Sequence, residues 1–277
     1  MLEAYLLAFF FLLGLLVGSF VNVAILRFGF TERPASRSHC AACNAQIHWY
    51  DLVPVLSFFL LSGKCRSCGS ALAVQYPLVE FATGALFALV YFAYPPVSPF
   101  SFMSFIALLV FCATLVALVA YDIRHTLIPL PFVYLLGAAA LFARAGDALS
   151  LLSAAPLLDA LTGAVALGGF FAFVHFVTRG RGMGIGDAYV AAPIGLLLGL
   201  VRGASAMVLG IWAATIYYLV LLIFSRLLPR NRWRQGTKPL TMKSELPFAP
   251  FLALGSALAL FTPLSLFAIG EWLARFL

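Results

Sequence analysis

The sequence predicts an all-α polytopic membrane protein with about eight transmembrane helices and a small cysteine-bearing insertion after the first helix. Of its 277 residues, 64% are hydrophobic and only 10% are charged, whereas about 25% of the residues in an ordinary soluble domain are charged. The apolar residues form continuous runs of about 20 residues, which is the length of a membrane-spanning helix, rather than the alternating pattern of a membrane β-barrel. With a mean hydropathy of +1.05, the chain is not a water-soluble globule, a disordered chain or a secreted disulfide scaffold.

Charges and prolines divide the apolar runs into spans. The first run, 4–26, has no internal charge and no preceding basic residue, and Arg27 follows it, which argues against a cleaved signal peptide. The uncharged stretch 81–121 is too long for one span, and the proline-rich residues 94–99 divide it. The predicted spans lie at about 4–26, 72–93, 100–121, 127–143, 159–178, 188–201, 204–225 and 247–270.

The basic residues predict the orientation in the membrane. With eight spans, fourteen of the 17 Lys and Arg residues fall on one side, and only Arg144, Arg202 and Arg275 fall on the other. The positive-inside rule places the fourteen in the cytoplasm, so both termini face outward. Residues 226–243 carry six of these cations, and contact with anionic lipid is the preferred interpretation. The expected partner is therefore the lipid bilayer and not nucleic acid.

Four of the five cysteines form two pairs with metal-ligand spacing. Each pair, Cys40 with Cys43 and Cys65 with Cys68, leaves two residues between its cysteines, which lets both sulfurs reach one tetrahedral ion. The loop is predicted to be cytoplasmic, where structural disulfides are rare. We therefore predict a zinc-knuckle-like site with four cysteine ligands, with a redox dithiol and unligated thiols as alternatives. Cys112 lies inside a predicted span and is expected to be a buried apolar residue.

Two acidic residues stand at the cytoplasmic ends of predicted spans. Asp122 ends the run 100–121, and Asp187 begins the sixth span. Ionisable groups at such depth are functional candidates. Two carboxylates at one site can share a proton, so that one activates water and the other polarises a carbonyl. The alternative is that each acid pairs with a nearby arginine, Arg124 or Arg181.

Glycines precede the second of these acids. Gly184 and Gly186 would let the backbone of a bound chain come close to Asp187, as an added strand. Close helix packing by small residues is the alternative interpretation. Asp51 lies between the two cysteine pairs and Glu80 follows them, and their position alone assigns them no role.

Taken together, these motifs resemble the bacterial prepilin peptidases, also called type IV leader peptidases, which are membrane aspartic proteases of the Gly-x-Gly-Asp type. The resemblance covers nearly the whole chain, although Gln75, Leu130 and Tyr189 depart from residues that are frequent in the family. The motifs that carry it are Gly18–Val23 with Arg27, the two cysteine pairs, 48–57, 76–80, Asp122 with Ile128 and Pro129, Gly184–Asp187 and 246–251.

The resemblance implies an activity and its partners. Such enzymes remove the short basic leader from type IV prepilins or type II secretion pseudopilins, after a glycine at the cytoplasmic face of the bacterial inner membrane. Many members that have the cysteine domain also methylate the new N-terminus with S-adenosylmethionine. Asp122 and Asp187 would be the catalytic pair, and Gly184 and Gly186 would approach the substrate.

Because the cytoplasmic face is itself basic, a basic leader needs local acids, and Asp51 or Glu80 is the candidate that would orient it. The structural alternative is that these two acids pair within the protein, for example with Lys64 or Arg66.

The implied organisation has four parts. They are the first transmembrane helix at 1–27, the cytoplasmic cysteine domain at 28–71, the second helix with its outer loop at 72–100, and an aspartic peptidase membrane domain at 101–277. Two other classes of function remain open. One is a proton-coupled transporter that uses both aspartates as ion ligands, although the inverted repeats typical of such carriers are not evident. The other is a non-enzymatic scaffold for pilus or secretion assembly.

Overall fold

The computed structural model describes residues 1–28, 38–40, 42–180, 183–227 and 247–262. Within these ranges the chain is helical, and its β structure consists of two isolated bridges in the cysteine domain. The α-helices are α1 (Leu2–Arg27), α2 (Leu56–Leu60), α3 (Gln75–Ala93), α4 (Pro99–His125), α5 (Leu130–Leu151), α6 (Ala155–Thr178), α7 (Ile185–Leu227) and α8 (Ala249–Phe261), with a 3₁₀ helix at Trp49–Leu52.

Within the described ranges, six helices, α1 and α3 to α7, are long and apolar enough to cross a membrane. This confirms the predicted all-α membrane architecture and the cysteine insertion after the first helix. α8 is a shorter apolar helix, and residues 263–270 of the predicted eighth span lie outside the described residues.

α7 contains the predicted sixth and seventh spans. Gly199 leaves the helical conformation with φ 75° and ψ −174°. A Cβ placed on Gly203 would lie only 3.6 Å from the Cα of Gly195, although eight residues of continuous helix would separate the two by about 12 Å. The chain therefore folds back on itself at Gly199.

α5 extends well beyond the predicted span 127–143. Its last turns hold Arg144 and Asp147, which the sequence places past the end of the apolar segment. The carboxylate of Asp147 accepts a hydrogen bond of 2.9 Å from the Ser104 hydroxyl on α4 and lies 3.6 Å from the Arg144 guanidinium. Because the two charges are paired within the helix packing, they continue the helix instead of ending it.

The helices form two compact units, which are described separately. The first comprises Met1–Arg124 with residues 128–154, and the second comprises residues 125–127 with Ala155–Leu277. In the first unit α1 and α3 pack antiparallel and very close together. A Cβ on Gly14 would lie 2.7 Å from the Cα of Gly84, and a Cβ on Gly18 would lie 2.7 Å from the Cα of Glu80. The core beside this pair is formed by Val21, Ile25, Val79, Ala117 and Ala120.

The second unit is built around the α7 hairpin. α6 packs against it through Gly163 and Gly195, whose backbones approach so closely that neither position has room for a Cβ. The Asp159 carboxylate on α6 accepts a hydrogen bond of 3.1 Å from the backbone N–H of Leu200. This bond satisfies one of the free N–H groups at the start of the second arm of the hairpin.

Gly199→Ala should destabilise this unit strongly. A side chain at φ 75° and ψ −174° adopts a conformation that is almost restricted to glycine, and its Cβ would collide with the Asp159 carboxylate. We expect a loss of about 2 kcal/mol or more in the free energy of unfolding, seen as a lower thermal midpoint in detergent.

Gly169→Ala in α6 is the matched control for this substitution. A Cβ at Gly169 meets no atom of the described residues within 4 Å, and alanine favours a helix over glycine by about 1 kcal/mol. Equal thermal midpoints for the two variants would show that the turn does not need a glycine.

Candidate functional site

The first cysteine pair lies in a tight turn. The N–H of Cys40 donates to the carbonyl of Ala45 and the N–H of Asn44 donates to the carbonyl of Cys40, each at 2.9 Å. Asn44 has a left-handed conformation with φ 56°, which asparagine tolerates better than most residues. An isolated bridge between His39 and Gln46 closes the turn.

The second cysteine pair repeats this turn at the same spacing. The N–H of Cys65 donates to the carbonyl of Ser70 at 2.8 Å, and the N–H of Gly69 donates to the carbonyl of Cys65 at 2.9 Å. Gly69 has φ 70°, and a bridge between Lys64 and Ala71 closes the turn. The sequence shows the repeated cysteine spacing, but only the structure shows that both backbones have the same conformation.

The two turns bring all four predicted ligands together. The Sγ atoms of Cys40, Cys43, Cys65 and Cys68 lie within 4.8 Å of one another, and those of Cys40 and Cys68 are 3.9 Å apart. Zinc–sulfur bonds of about 2.3 Å in a tetrahedron require sulfurs about 3.8 Å apart. The donor set and its spacing therefore fit a tetrahedral thiolate-bound ion such as zinc.

The electrostatics of the cluster also favour a cation. Backbone hydrogen bonds from Cys43 and Ala42 lower the pKa of the Cys40 thiol to about 6, which favours the thiolate form that binds a metal ion. The backbone of Ala45 lowers the pKa of Cys43, but the hydrogen bond with Cys68 and the nearby Cys40 outweigh it and raise that pKa to about 11. A bound cation would relieve this crowding of negative charge.

Asp51 pairs with an arginine of the second cysteine turn. Both carboxylate oxygens accept hydrogen bonds from Arg66, the shortest at 2.7 Å, and this contact lowers the pKa of Asp51. The Arg66 guanidinium also lies 5.4 Å from the centre of the Tyr50 ring. The ion pair therefore ties the 3₁₀ helix to the metal-ligand turn.

Glu80 is buried on α3, with 7% of its surface exposed. Its Oε2 accepts a hydrogen bond of 2.7 Å from the backbone N–H of Val55, and the Ser19 hydroxyl on α1 also bonds to the carboxylate. Glu80 and Asp51 both bind groups of the protein itself, which is what a structural role for these two acids requires. Their contact with a leader stays a prediction.

Asn22 is a polar residue of this region that the sequence interpretation assigned no role. Its Nδ2 donates to the carbonyl of Tyr76 at 3.1 Å, which links α1 to the first turn of α3. Its Oδ1 is buried without a hydrogen-bond partner among the described residues. An amide inside an otherwise apolar run was the available signal.

Asp122 lies in the last turn of α4, in the first unit, and only 6% of its surface is exposed. Asp187 lies in the first turn of α7, in the second unit, and is half-buried. The structure confirms that each acid stands at the end of a long apolar helix. Because they belong to different units, their pairing at one site stays a prediction.

The loop that leads to Asp187 is held by a histidine. Nδ1 of His175, in the last turn of α6, lies 2.9 Å from the carbonyl oxygen of Met183, the residue before Gly184. The backbone N–H of Asp187 donates to the carbonyl of Gly184 at 3.3 Å. His175 therefore positions the Gly184–Asp187 motif, a role that the sequence interpretation missed although a histidine at the end of an apolar helix was visible.

Two protein-family models match the chain. The bacterial peptidase A24 N-terminal domain matches residues 12–94, and the type IV leader peptidase family matches residues 109–225. The prepilin leader peptidase/N-methyltransferase of Myxococcus xanthus (strain DK1622) is 34% identical over 261 residues, which cover 86% of this chain and 71% of that protein. The protein of the same name from Bacillus subtilis (strain 168) is 32% identical over 262 residues, which cover 91% and 93%. No solved structure matches the chain significantly.

Proposed function

The chain belongs to the type IV leader peptidase family, and on this basis we propose that it removes the leader from prepilins or pseudopilins and methylates the new N-terminus. The support is the agreement of three features. The N-terminal and peptidase family models match successive parts of the chain. Relatives whose names include both activities align over most of this chain. The cysteine cluster lies within the N-terminal match.

Asp122 and Asp187 are the proposed catalytic pair, which acts on a water molecule and the scissile peptide bond. We assign the water-activating carboxylate to Asp187, because the first turn of a helix favours a negative charge. We assign the protonated carboxyl, which polarises the carbonyl, to Asp122, because the last turn of a helix disfavours a negative charge. The proton that Asp187 takes from water then passes to the leaving amine.

The cleavage site is proposed to face the cytoplasm of a bacterial inner membrane, after a glycine of the substrate. The apolar helices and the family support a multi-pass membrane protein. The proposed orientation depends on the distribution of Lys and Arg between the loops, which puts the helix ends that bear Asp122 and Asp187 on the basic side.

Zinc is the proposed structural ion of the cysteine domain, held by Cys40, Cys43, Cys65 and Cys68, which fit it in donor type and spacing. S-adenosylmethionine, when bound, would supply the methyl group for the free amine of the cleaved product. We assign no residues to it, and this part of the proposal is supported by the family and the names of the relatives.

Mass spectrometry of one reaction tests both activities. The purified protein is incubated with a prepilin, with and without S-adenosylmethionine. We expect the mature pilin in both reactions, heavier by one methyl group only when S-adenosylmethionine is present. An uncleaved prepilin would contradict the peptidase proposal, and cleavage without added mass would contradict methylation alone. A protein that cleaves nothing but is needed for pilus assembly would favour the scaffold alternative.

Gly184→Ala tests whether the substrate backbone passes beside the motif. A Cβ at Gly184 would meet only the Asp187 carboxylate and the Gly186 nitrogen, at 3.9 Å among the described residues, so the protein itself tolerates the methyl group. If the substrate occupies this space, we expect cleavage to fall about tenfold with an unchanged thermal midpoint. Gly169→Ala is again the control. Full activity of Gly184→Ala would remove the glycine from the proposed substrate contact.

Asp51 and Glu80 are proposed to orient the basic leader. Because both carboxylates also bind the protein itself, direct recognition must be separated from a structural role. We expect Asp51→Asn or Glu80→Gln to slow cleavage of a lysine-bearing leader more than cleavage of a leader without lysine, while Asp147→Asn changes both equally. Equal losses on both leaders in the Asp51 and Glu80 variants would assign them a structural role only.

A further inference from the structure

Six large apolar side chains are exposed on a segment that is not a membrane span. Trp49 is 80% exposed, Leu60 75% and Phe59 69%. We call the whole set the apolar patch; it belongs to the 3₁₀ helix, α2 and the residues between them, and consists of Trp49, Leu52, Val53, Leu56, Phe59 and Leu60. Large apolar side chains exposed together on one short segment mark a contact with lipid or with another protein.

The packing of α1 on α3 gives the position of the nearby Glu80 along α1, measured from Arg27 at the end of the apolar run. A Cβ on Gly18 would lie 2.7 Å from the Cα of Glu80, so these two residues are level with each other. Gly18 precedes Arg27, the first charge after the apolar run, by nine residues, which is about 13 Å along the helix. The Cα of Glu80 therefore lies well to the apolar side of the level of Arg27.

The hydrogen bond from Val55 to Glu80 fixes the depth of the apolar patch relative to α1. Helical side chains lean toward the N-terminus of their helix, so the Glu80 carboxylate reaches from its Cα toward the level of Arg27. The backbone N–H of Val55 donates to this carboxylate at 2.7 Å, which ties the segment that bears the patch to a depth close to that of the Glu80 carboxylate. Interfacial segments bury their apolar faces in this zone, about 5–10 Å into the boundary between headgroups and acyl chains.

The patch is held firmly at this depth. Val55 has φ 61°, a conformation that is rare for a β-branched residue and that the bond to Glu80 helps to fix. The Ser57 hydroxyl donates to the carbonyl of Tyr50 at 3.0 Å and joins α2 to the 3₁₀ helix. Trp49 and Tyr50 are also the aromatic types that concentrate at membrane–water interfaces.

We propose that the apolar patch inserts into the lipid leaflet at the Arg27 end of α1 and seats the cysteine domain on the bilayer surface. Neither the proposed activity nor the orientation in the membrane is needed for this inference, because the depth is measured along α1 within one compact unit. The Asp51–Arg66 ion pair, which adjoins the patch, then holds the second metal-ligand turn against the same surface.

Fluorescence quenching of Trp49 tests the proposal in the full-length protein. Wild type and Trp49→Phe are reconstituted in vesicles of phosphatidylcholine and phosphatidylglycerol, with or without brominated acyl chains, and the difference between the two proteins gives the Trp49 emission. We expect brominated chains to remove about half or more of this emission, with iodide in the aqueous phase removing little. The difference between wild type and Trp212→Phe gives the Trp212 emission, which serves as a positive control for quenching by brominated chains. Trp212 is suitable because it is an exposed side chain of the long apolar α7.

Each other outcome overturns the proposal. Quenching of Trp49 by iodide but not by brominated chains would place the patch in water. Protection from both quenchers would mean that protein covers it, either a second copy of this chain or a substrate. Phe59→Asp provides a second test. A charge in the patch should withdraw it from the lipid and increase the quenching of Trp49 by iodide, and unchanged quenching would contradict insertion.

Discussion

Asp122→Asn or Asp187→Asn should each abolish prepilin cleavage, with a loss of at least about 10³-fold, while the protein remains inserted in the membrane. Asparagine has nearly the same shape as aspartate but neither takes nor releases a proton, so the remaining carboxyl group cannot serve as both base and acid. Because the pair acts as a unit, the double variant should be hardly worse than either single variant. The measurement is the rate of leader release from a purified prepilin.

Two other aspartates provide matched controls for this prediction. Asp147 accepts its hydrogen bond from Ser104 in the first unit, and Asp159 accepts its bond from the N–H of Leu200 in the second. Asparagine at either position keeps an oxygen that can accept the same bond, and neither residue is assigned to the reaction, so cleavage should stay near the wild-type rate, although Asp147→Asn also removes the charge 3.6 Å from the Arg144 guanidinium. Wild-type turnover in the Asp122 or Asp187 variant would end the aspartic-protease proposal.

Substitution of a cluster cysteine by serine should remove bound metal and unfold the cysteine domain. We expect about one zinc per chain in protein purified without chelator, and little in Cys43→Ser or Cys65→Ser, because a structural zinc site supplies about 10 kcal/mol or more of folding free energy. Elemental analysis gives the stoichiometry. Proteolysis should survive the loss of metal better than methylation does, since the proposed catalytic carboxylates lie elsewhere in the chain.

Cys112→Ala is the control for the metal prediction. Cys112 is buried in α4 and lies outside the cluster, so its removal should leave the zinc content unchanged. Wild-type protein without metal, together with a disulfide between cluster cysteines in cells, would overturn the zinc proposal and favour the redox alternative.

The sequence predicts the helices well because long apolar runs leave the backbone few alternatives in a membrane. It misses the extent of α5, because the charges of Arg144 and Asp147 are compensated by tertiary contacts that no local pattern records. The tight return of the chain at Gly199 also depends on tertiary contacts. The sequence separates two spans there, but the close return of the chain depends on Gly195 and Gly203 meeting across the turn.

The candidate site shows the same division between local and tertiary information. Cysteine spacing predicts all four members of the metal cluster, since each pair is local and its geometry follows from a short turn. The partner of Glu80 could not be predicted, because Val55 is 25 residues away and contributes a backbone group. The predicted pairing of Asp122 with Asp187 would depend on the arrangement of the two units, which no spacing in the sequence encodes, and it stays a prediction.

The hairpin at Gly199 also bears on how water reaches the proposed peptidase site. The first arm of α7 runs from 185 to 198, which is about 21 Å of helix, whereas the hydrocarbon core of a bilayer is about 30 Å thick. A segment this short crosses only where the membrane thins around it or where its polar end sits below the headgroups. Asp187 stands at that end. Hydrophobic mismatch would therefore bring solvent to the carboxylate from the membrane surface, without a channel through the protein.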